Sequence, residues 1–462
     1  MRDKKLDAQA LGGELADAPV DPEAAARTGA RAAAAHKMSR RGFFGATAAT
    51  AGLTAAACAA PTRPAGKAGQ PELDAATEPH LASQTVPFDG RHQAGVQTAS
   101  QVQLSLISFN LRDGIGRQDV RRLMSLWTED ARALCAGRNP VGGLEPEMVQ
   151  IPANLTITVG FGEPMFAKLG LQDRMPTGLH AIPAFEHDDL DRRWGQTDLV
   201  VQICGDDPLT VAYAMRHMIR SSVDYAVTGW LQRGFSHADG SMPDGATPRN
   251  LFGQKDGTVN PHGDKEYEEQ VWIDAAADGE PAWADGGTIM VARRIAMHMD
   301  EWEMLDRPSR EVVIGRDLPE GAPLSGGDEF TEPDLEKTDE TGLPLIDPNS
   351  HMAVARNSPD YLSKEKLLRR PYTYDLEPEP GSGDASNVGL VFLCYQKNPD
   401  QQFTPIQRRM DKSDRLNQWI THIGSAVYVL PPGVTAAGFG AASESAEGAS
   451  PDRFWGERLF AD

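Results

Sequence analysis

Val102-Gln103-Leu104-Ser105-Leu106-Ile107-Ser108-Phe109 alternates apolar and polar side chains and reads as a β-strand. Working outward, Val120 to Leu134 sets Leu123, Met124, Leu126, Trp127, Ala131 and Leu134 at helical spacing. Leu155 to Phe161 and Asp198 to Cys204 are strand-like. Pro208 opens a helix to about Arg220, since a proline in the first turn loses no hydrogen bond. Tyr225 to Phe235 supplies the closing strand. The order strand-helix-strand-strand-helix-strand is the ferredoxin-like unit. A second set follows, with strands at Thr288–Ile295, Val388–Gln396 and Ala426–Leu430 and helices at Met299–Leu305 and Phe403–Ile420. The expected fold is therefore α+β: tandem ferredoxin-like units of the dimeric α+β barrel type with a pair of antiparallel sheets, occupying residues 85–245 and 246–462. The polar stretch from Leu318 to Pro348, dense in Gly, Pro, Asp and Glu, reads as an insertion loop beside a site.

The chain of 462 residues carries 45 Lys/Arg against 66 Asp/Glu, a net charge of −21. So acidic a surface argues against binding nucleic acid or anionic lipid through a broad electrostatic patch. Of the four cysteines, Cys135, Cys204 and Cys394 lie beyond Cys58, with no Cys-x-x-Cys spacing. That odd number fits free buried thiols better than a disulfide framework or a zinc knuckle.

Upstream of the folded part, Ser39-Arg40-Arg41-Gly42-Phe43-Phe44 is a twin-arginine pattern followed by the weakly apolar run Gly45 to Ala57. That run is too short and too rich in Ala, Gly and Thr to span a membrane. Residues 1–60 are read as a signal that exports the protein already folded, to the periplasm, cell surface or medium. Ala55-Ala56-Ala57-Cys58 has the small residues and cysteine of a lipoprotein site, but Leu53 stands two positions early. Lipidation of Cys58, giving a membrane tether, and ordinary cleavage among residues 55–60 both stay open. Residues 61–84, rich in Pro, Ala and Gly, read as a flexible linker.

Gly253-Gln254-Lys255-Asp256-Gly257-Thr258-Val259-Asn260-Pro261 sets one acidic side chain between two glycines in a polar turn. Taken alone it is an Asx-type turn. It resembles, however, the Gly-x-x-Asp-Gly signature of dye-decolorizing peroxidases, bacterial and fungal haem enzymes. Further segments follow in that family's order: Pro87-Phe88-Asp89-Gly90-Arg91-His92-Gln93-Ala94-Gly95 before the loop, then Arg293-Arg294-Ile295-Ala296-Met297-His298, Val313-Ile314-Gly315-Arg316, Leu368-Arg369-Arg370 and Gly389-Leu390-Val391-Phe392-Leu393-Cys394-Tyr395-Gln396. The resemblance covers about Val86 to Val434. It implies haem b, held non-covalently against the C-terminal unit, with the Asp256 loop over its distal face.

Residue by residue, the resemblance makes Asp256 the distal acid-base group and Arg369 the distal cation, with Arg370 as the fallback. It makes His351, in Asn349-Ser350-His351-Met352-Ala353-Val354-Ala355-Arg356-Asn357, the axial iron ligand, although Ala353 replaces the family's usual Arg. His298 is the competing ligand. Gly257, Thr258 and Val259 should line the haem edge, and Arg356 and Asn357 should lie near the propionates. Pro371 stands where the family usually has Gly. Tyr372, Tyr374, Tyr395 and Trp419 are candidates for electron relay, although aromatics in such number more often form core. The activity implied is reduction of H2O2 with oxidation of bulky phenolic or dye-like donors. Aspartates ordinarily titrate near ~3.9, so a proton shuttle of this type favours acid pH. Release of iron from haem within an iron-uptake system, with its own partners, would use the same pocket. A haem carrier without turnover is a third reading, but it needs neither an acid nor a cation. The sequence leaves the oligomeric state open, homo-oligomer included. Purified protein supplied with haem should show a Soret band, and its absence would remove the peroxidase reading altogether.

Overall fold

The computed structural model describes residues 81–238, 240–243, 245–435 and 452–461. The twin-arginine segment, Cys58 and all but the end of the 61–84 linker lie outside the described residues. The first ferredoxin-like unit contains β1 (Gln103–Leu111), β2 (Thr156–Gly162), β3 (Leu199–Gly205) and β4 (Ala226–Phe235), in the antiparallel order β2-β3-β1-β4. Helices Arg117–Cys135 and Pro208–Ser221 cover its outer face.

The second unit repeats that topology. It comprises β5 (Thr288–Met297), β6 (Leu368–Arg369), β7 (Tyr372–Leu376), β8 (Asn387–Gln396) and β9 (Ile420–Leu430), with β5 paired to both β8 and β9. The two sheets join, as the barrel type expects. Short seams join β2 to β9 (Phe161↔Val429, Gly162↔Tyr428) and β4 to β7 (Phe235↔Thr373), so the strands close into one ring. Closure removes the exposed edges that two open sheets would leave.

Strand alternation then sorts side chains onto two faces. Val200, Cys204, Met290, Ala292, Val391, Leu393, Tyr395 and Tyr428 pack in one buried cluster inside the ring. Ile107, Phe109, Val159, Val201 and Val291 pack outward with the helices. Cys135, Cys204 and Cys394 are free and buried. Among the described residues no helix is long and apolar enough to cross a membrane.

Three element boundaries differ from the periodicity reading. The helix expected over Met299–Leu305 stops at Trp302, and a new one, Arg307–Ile314, begins where Asp306 caps the Ser309 N–H at 2.8 Å. The helix expected over Phe403–Ile420 ends at Ser413, because Asp414 leaves helical geometry and its carboxylate accepts from Leu416 N–H. Ile420 instead begins β9, six residues before the strand expected there. The 318–348 stretch forms neither helix nor strand beyond isolated bridges such as Thr338↔Pro344.

Gly389 shows how tightly the second sheet is packed: an added Cβ would sit 2.1 Å from Ile295 O and 2.3 Å from the Tyr374 hydroxyl. Gly389→Ala should cost about 1–3 kcal/mol of stability, read as a lower urea midpoint. An unchanged midpoint would show that β5 and β8 can part there without loss.

Candidate active site

Outward-facing residues of the second sheet form one wall of a deep cavity: Arg293, Ile295 and Met297 on β5, Leu390 and Phe392 on β8, Ile420 and His422 on β9. Phe403, Ile406, Gln407 and Met410 add a stripe at i, i+3, i+4 and i+7 from the helix above. The cavity leaves about 190 Å³ for the centres of water-sized spheres, and about 1240 Å³ of empty space when its mouth to solvent is included. Most of this lining is apolar.

The Gly253–Pro261 loop enters from one side. Gly253 and Gly257 adopt φ of 80° and 128°, in the region where side chains are strained. The nearest atoms to a Cβ on Gly257 would be 3.6 Å away, so it is conformation that requires glycine there. Asp256 N–H donates to Pro248 O at 2.8 Å, anchoring the acid by its own backbone. Its Oδ1 accepts from Arg369 Nη1 at 3.1 Å, and both residues line the cavity.

Arg369 and Arg370 are adjacent, and alternation separates them. Arg370 is buried inside the ring, donating to Thr98 O and Ala99 O and to the Gln101 side chain. Only Arg369 reaches the cavity.

His351 begins the short helix His351–Arg356 and also lines the cavity. Its Nδ1 lies 2.7 Å from Oδ2 of Asp414, whose side chain is fully buried. Burial alone would lower the His351 pKa, but the Asp414 charge and hydrogen bond outweigh it and the net shift is upward. With Nδ1–H committed to Asp414, Nε2 is the ring nitrogen left for a ligand. His298 is exposed; its Nε2 bonds Thr421 Oγ1 at 2.8 Å and it does not line the cavity.

Of the other expected site residues, Val259 lines the cavity and Gly257 does not. Thr258 is turned aside, donating to Glu329 Oε1 at 3.0 Å. Arg356 pairs with Glu332 and lies over the Tyr361 ring, and Asn357 is an exposed cap. Neither is among the lining residues; their helix turns Ala355 to the cavity instead. Tyr372, Tyr374 and Tyr395 are buried inside the ring, and Trp419 packs edge-on against Trp302 at 5.5 Å.

Sequence reasoning missed the buried group of Arg293, Asp188 and His422. Arg293 Nη2 pairs with Asp188, and His422 Nδ1 stands 3.7 Å from the same carboxylate. His422 reaches the cavity only because a bulge shifts the β9 register between Arg294 and Ile295, skipping Ile423. Burial first, and then the Arg293 charge, push His422 down to about 3.

The cavity fits a porphyrin: apolar walls, one imidazole backed by a buried carboxylate with a free nitrogen, and an acid–cation pair. Among the described residues no group of three or more His, Cys, Asp or Glu is arranged to hold a bare metal ion.

Comparison with known proteins agrees. Residues 93–236 match the family model for the N-terminal part of Dyp-type peroxidases, and residues 247–435 match that for the C-terminal part. A dye-decolorizing peroxidase of Thermobifida fusca is 33% identical over 413 residues, covering 85% of this chain and 94% of that protein. A deferrochelatase of Yersinia pestis is 33% identical over 369 residues, covering 77% and 83%. The crystal structure of a DyP-type peroxidase from Cellulomonas bogoriensis superposes with a TM-score of 0.75 at 41% identity, covering 83% of this chain and all of that one (100%).

His422 also sets a pH dependence. Its folded pKa lies below the ordinary 6.5, so its contribution to stability is complete above about 6.5 and is lost as pH falls toward about 3. The loss is on the order of 4 kcal/mol over that window. Asp188 offsets part of it, since burial raises its pKa and favours the folded state on acidification. In haem-free protein, His422→Gln should flatten the fall of the urea midpoint between pH 6.5 and 4; an unchanged slope would place the acid sensitivity elsewhere.

Proposed function

Because the chain belongs to the Dyp-type peroxidase family, and so is a haem peroxidase that uses H2O2 and a reductant, we propose that Asp256, Arg369 and His351 divide its chemistry among them. The observation that carries this reading is the 3.1 Å Asp256–Arg369 pair in the same cavity as the unpaired Nε2 of Asp414-backed His351. Haem b, held without a covalent link, would supply redox-active iron, and His351 Nε2 is the nitrogen that would hold it. Asp414 keeps the ring in one orientation and tautomer and makes Nε2 a stronger donor.

Asp256 takes the proton from the peroxide oxygen that stays behind and returns it to the oxygen that leaves as water. The directed N–H groups of the Arg369 guanidinium steady negative charge as the O–O bond lengthens. The apolar walls exclude water, so both effects act in a medium of low dielectric. The dye-decolorizing relative supports dye-like molecules as reductants. The twin-arginine pattern supports export of the folded protein.

A second reading draws support from the relative named deferrochelatase: removal of iron from haem in the same cavity, leaving the porphyrin intact. A product assay separates the two, since only iron release yields metal-free porphyrin.

Asp256→Asn and Arg369→Leu should each slow the reaction of the haem-loaded protein with H2O2 by about 10²–10⁴-fold in stopped-flow absorbance. If neither changes the rate, the acid–base assignment is wrong. His351→Ala should alter the haem spectrum, and an unaltered spectrum would move the ligand to another histidine.

A further inference from the structure

β6 is only two residues long and pairs with β8 along one edge, Leu368 opposite Tyr395 and Arg369 opposite Cys394. Arg370 N–H continues that ladder, donating to Leu393 O at 2.8 Å. The N–H and C=O of Arg369 itself point to the other edge, where no strand lies. The Asn260 carboxamide occupies that edge. Its Oδ1 accepts from Arg369 N–H at 3.0 Å and its Nδ2 donates to Arg369 O at 2.8 Å.

Asn260 belongs to the same loop as Asp256. Its own N–H donates to Gly257 O at 2.9 Å, and a Cβ added at Gly257 would stand 3.6 Å from its Nδ2. It is half-buried and does not line the cavity.

We propose that Asn260 is the positioning residue that sets the geometry of the Asp256–Arg369 pair. Two parallel hydrogen bonds from one rigid amide lock the Arg369 backbone to the loop that carries Asp256. The separation of acid and cation is then fixed through the main chain. The ion pair alone would leave it to the Arg369 side chain, which is long and rotates freely. Asn260 touches neither cofactor nor substrate, so it acts through Arg369. The inference rests on the roles given above to Asp256 and Arg369.

Full-length, haem-loaded Asn260→Ala should react with H2O2 about 10–100-fold more slowly, as expected for a misplacement near 1 Å, while its KM for the reductant stays unchanged. In an Arg369→Leu background the same substitution should add no further loss. Equal losses in both backgrounds would overturn the proposal, as would a wild-type rate for Asn260→Ala. Amide hydrogen exchange in the haem-free chain tests the clamp apart from catalysis. The peptide spanning Lys366–Pro371 should exchange faster in Asn260→Ala, and unchanged exchange would also overturn it. If Arg369→Leu itself leaves the peroxide rate intact while this peptide exchanges faster, the clamp stands and the role of Arg369 falls. Should Asn260→Ala fail to fold, Asn260→Asp is nearly isosteric and sets a carboxylate oxygen against Arg369 O. It should lose as much rate, and wild-type behaviour there would overturn the proposal.

Discussion

The ladder that β5 makes with β8 on one side and β9 on the other governs the rest of this molecule. It pairs β5 with β8 from Ile289 to Met297 and with β9 from Thr288 to Met297, so the register of all three strands is set together. Because strand side chains alternate, that register decides which of every two neighbours enters the cavity. Arg293 goes out and Arg294 goes in, where its guanidinium lies 4.6 Å from the Trp194 ring centroid and 4.3 Å from that of Tyr374. Leu390 and Phe392 go out; Val391 and Leu393 go in. A slip of one residue would exchange an apolar pocket wall for a core of aromatic rings.

Charge is managed differently on the two faces. Each cation lining the cavity has a carboxylate close by: Lys255 with Glu329, Arg293 with Asp188, Lys366 with Glu266 and Arg369 with Asp256. Paired in this way, charged groups can border an apolar cavity without the full cost of isolated burial. Inside the ring, Arg370 is held by carbonyl oxygens and Gln101, beside Tyr372 and Cys204. Asp256, to which proton transfer is assigned above, stands on the outer face, where its loop folds over the sheet.

Much of this was legible in the residues. The helix at Val120 showed its period because it buries one regular face, and the strands at Val102 and Val388 showed as short, mostly apolar runs because both their faces are buried. Gly253 and Gly257 announced a turn of positive φ, which no other residue adopts as freely. Asp256 and Arg369 were legible through their motifs. Legibility failed where a side chain overruled the local pattern. Asp414 ended a helix whose apolar spacing ran on, because its carboxylate serves Leu416 N–H and His351 at once. His422 changed faces at a bulge that no period reveals.

The family's motifs marked Asp256 and Arg369, and local composition and spacing determined the tandem α+β architecture and the free cysteines. Those properties depend on backbone preference and on burial of one face, and both are written in neighbouring residues. Only the tertiary structure decided which strands form the two seams of the ring, that Arg369 and not Arg370 meets Asp256, and that Asp414 stands behind His351. Each of these joins groups far apart in the chain, 113 residues for Arg369 and Asp256 and 63 for His351 and Asp414. Such contacts are set by the register of the sheet and the packing of loops upon it, and no local pattern encodes them.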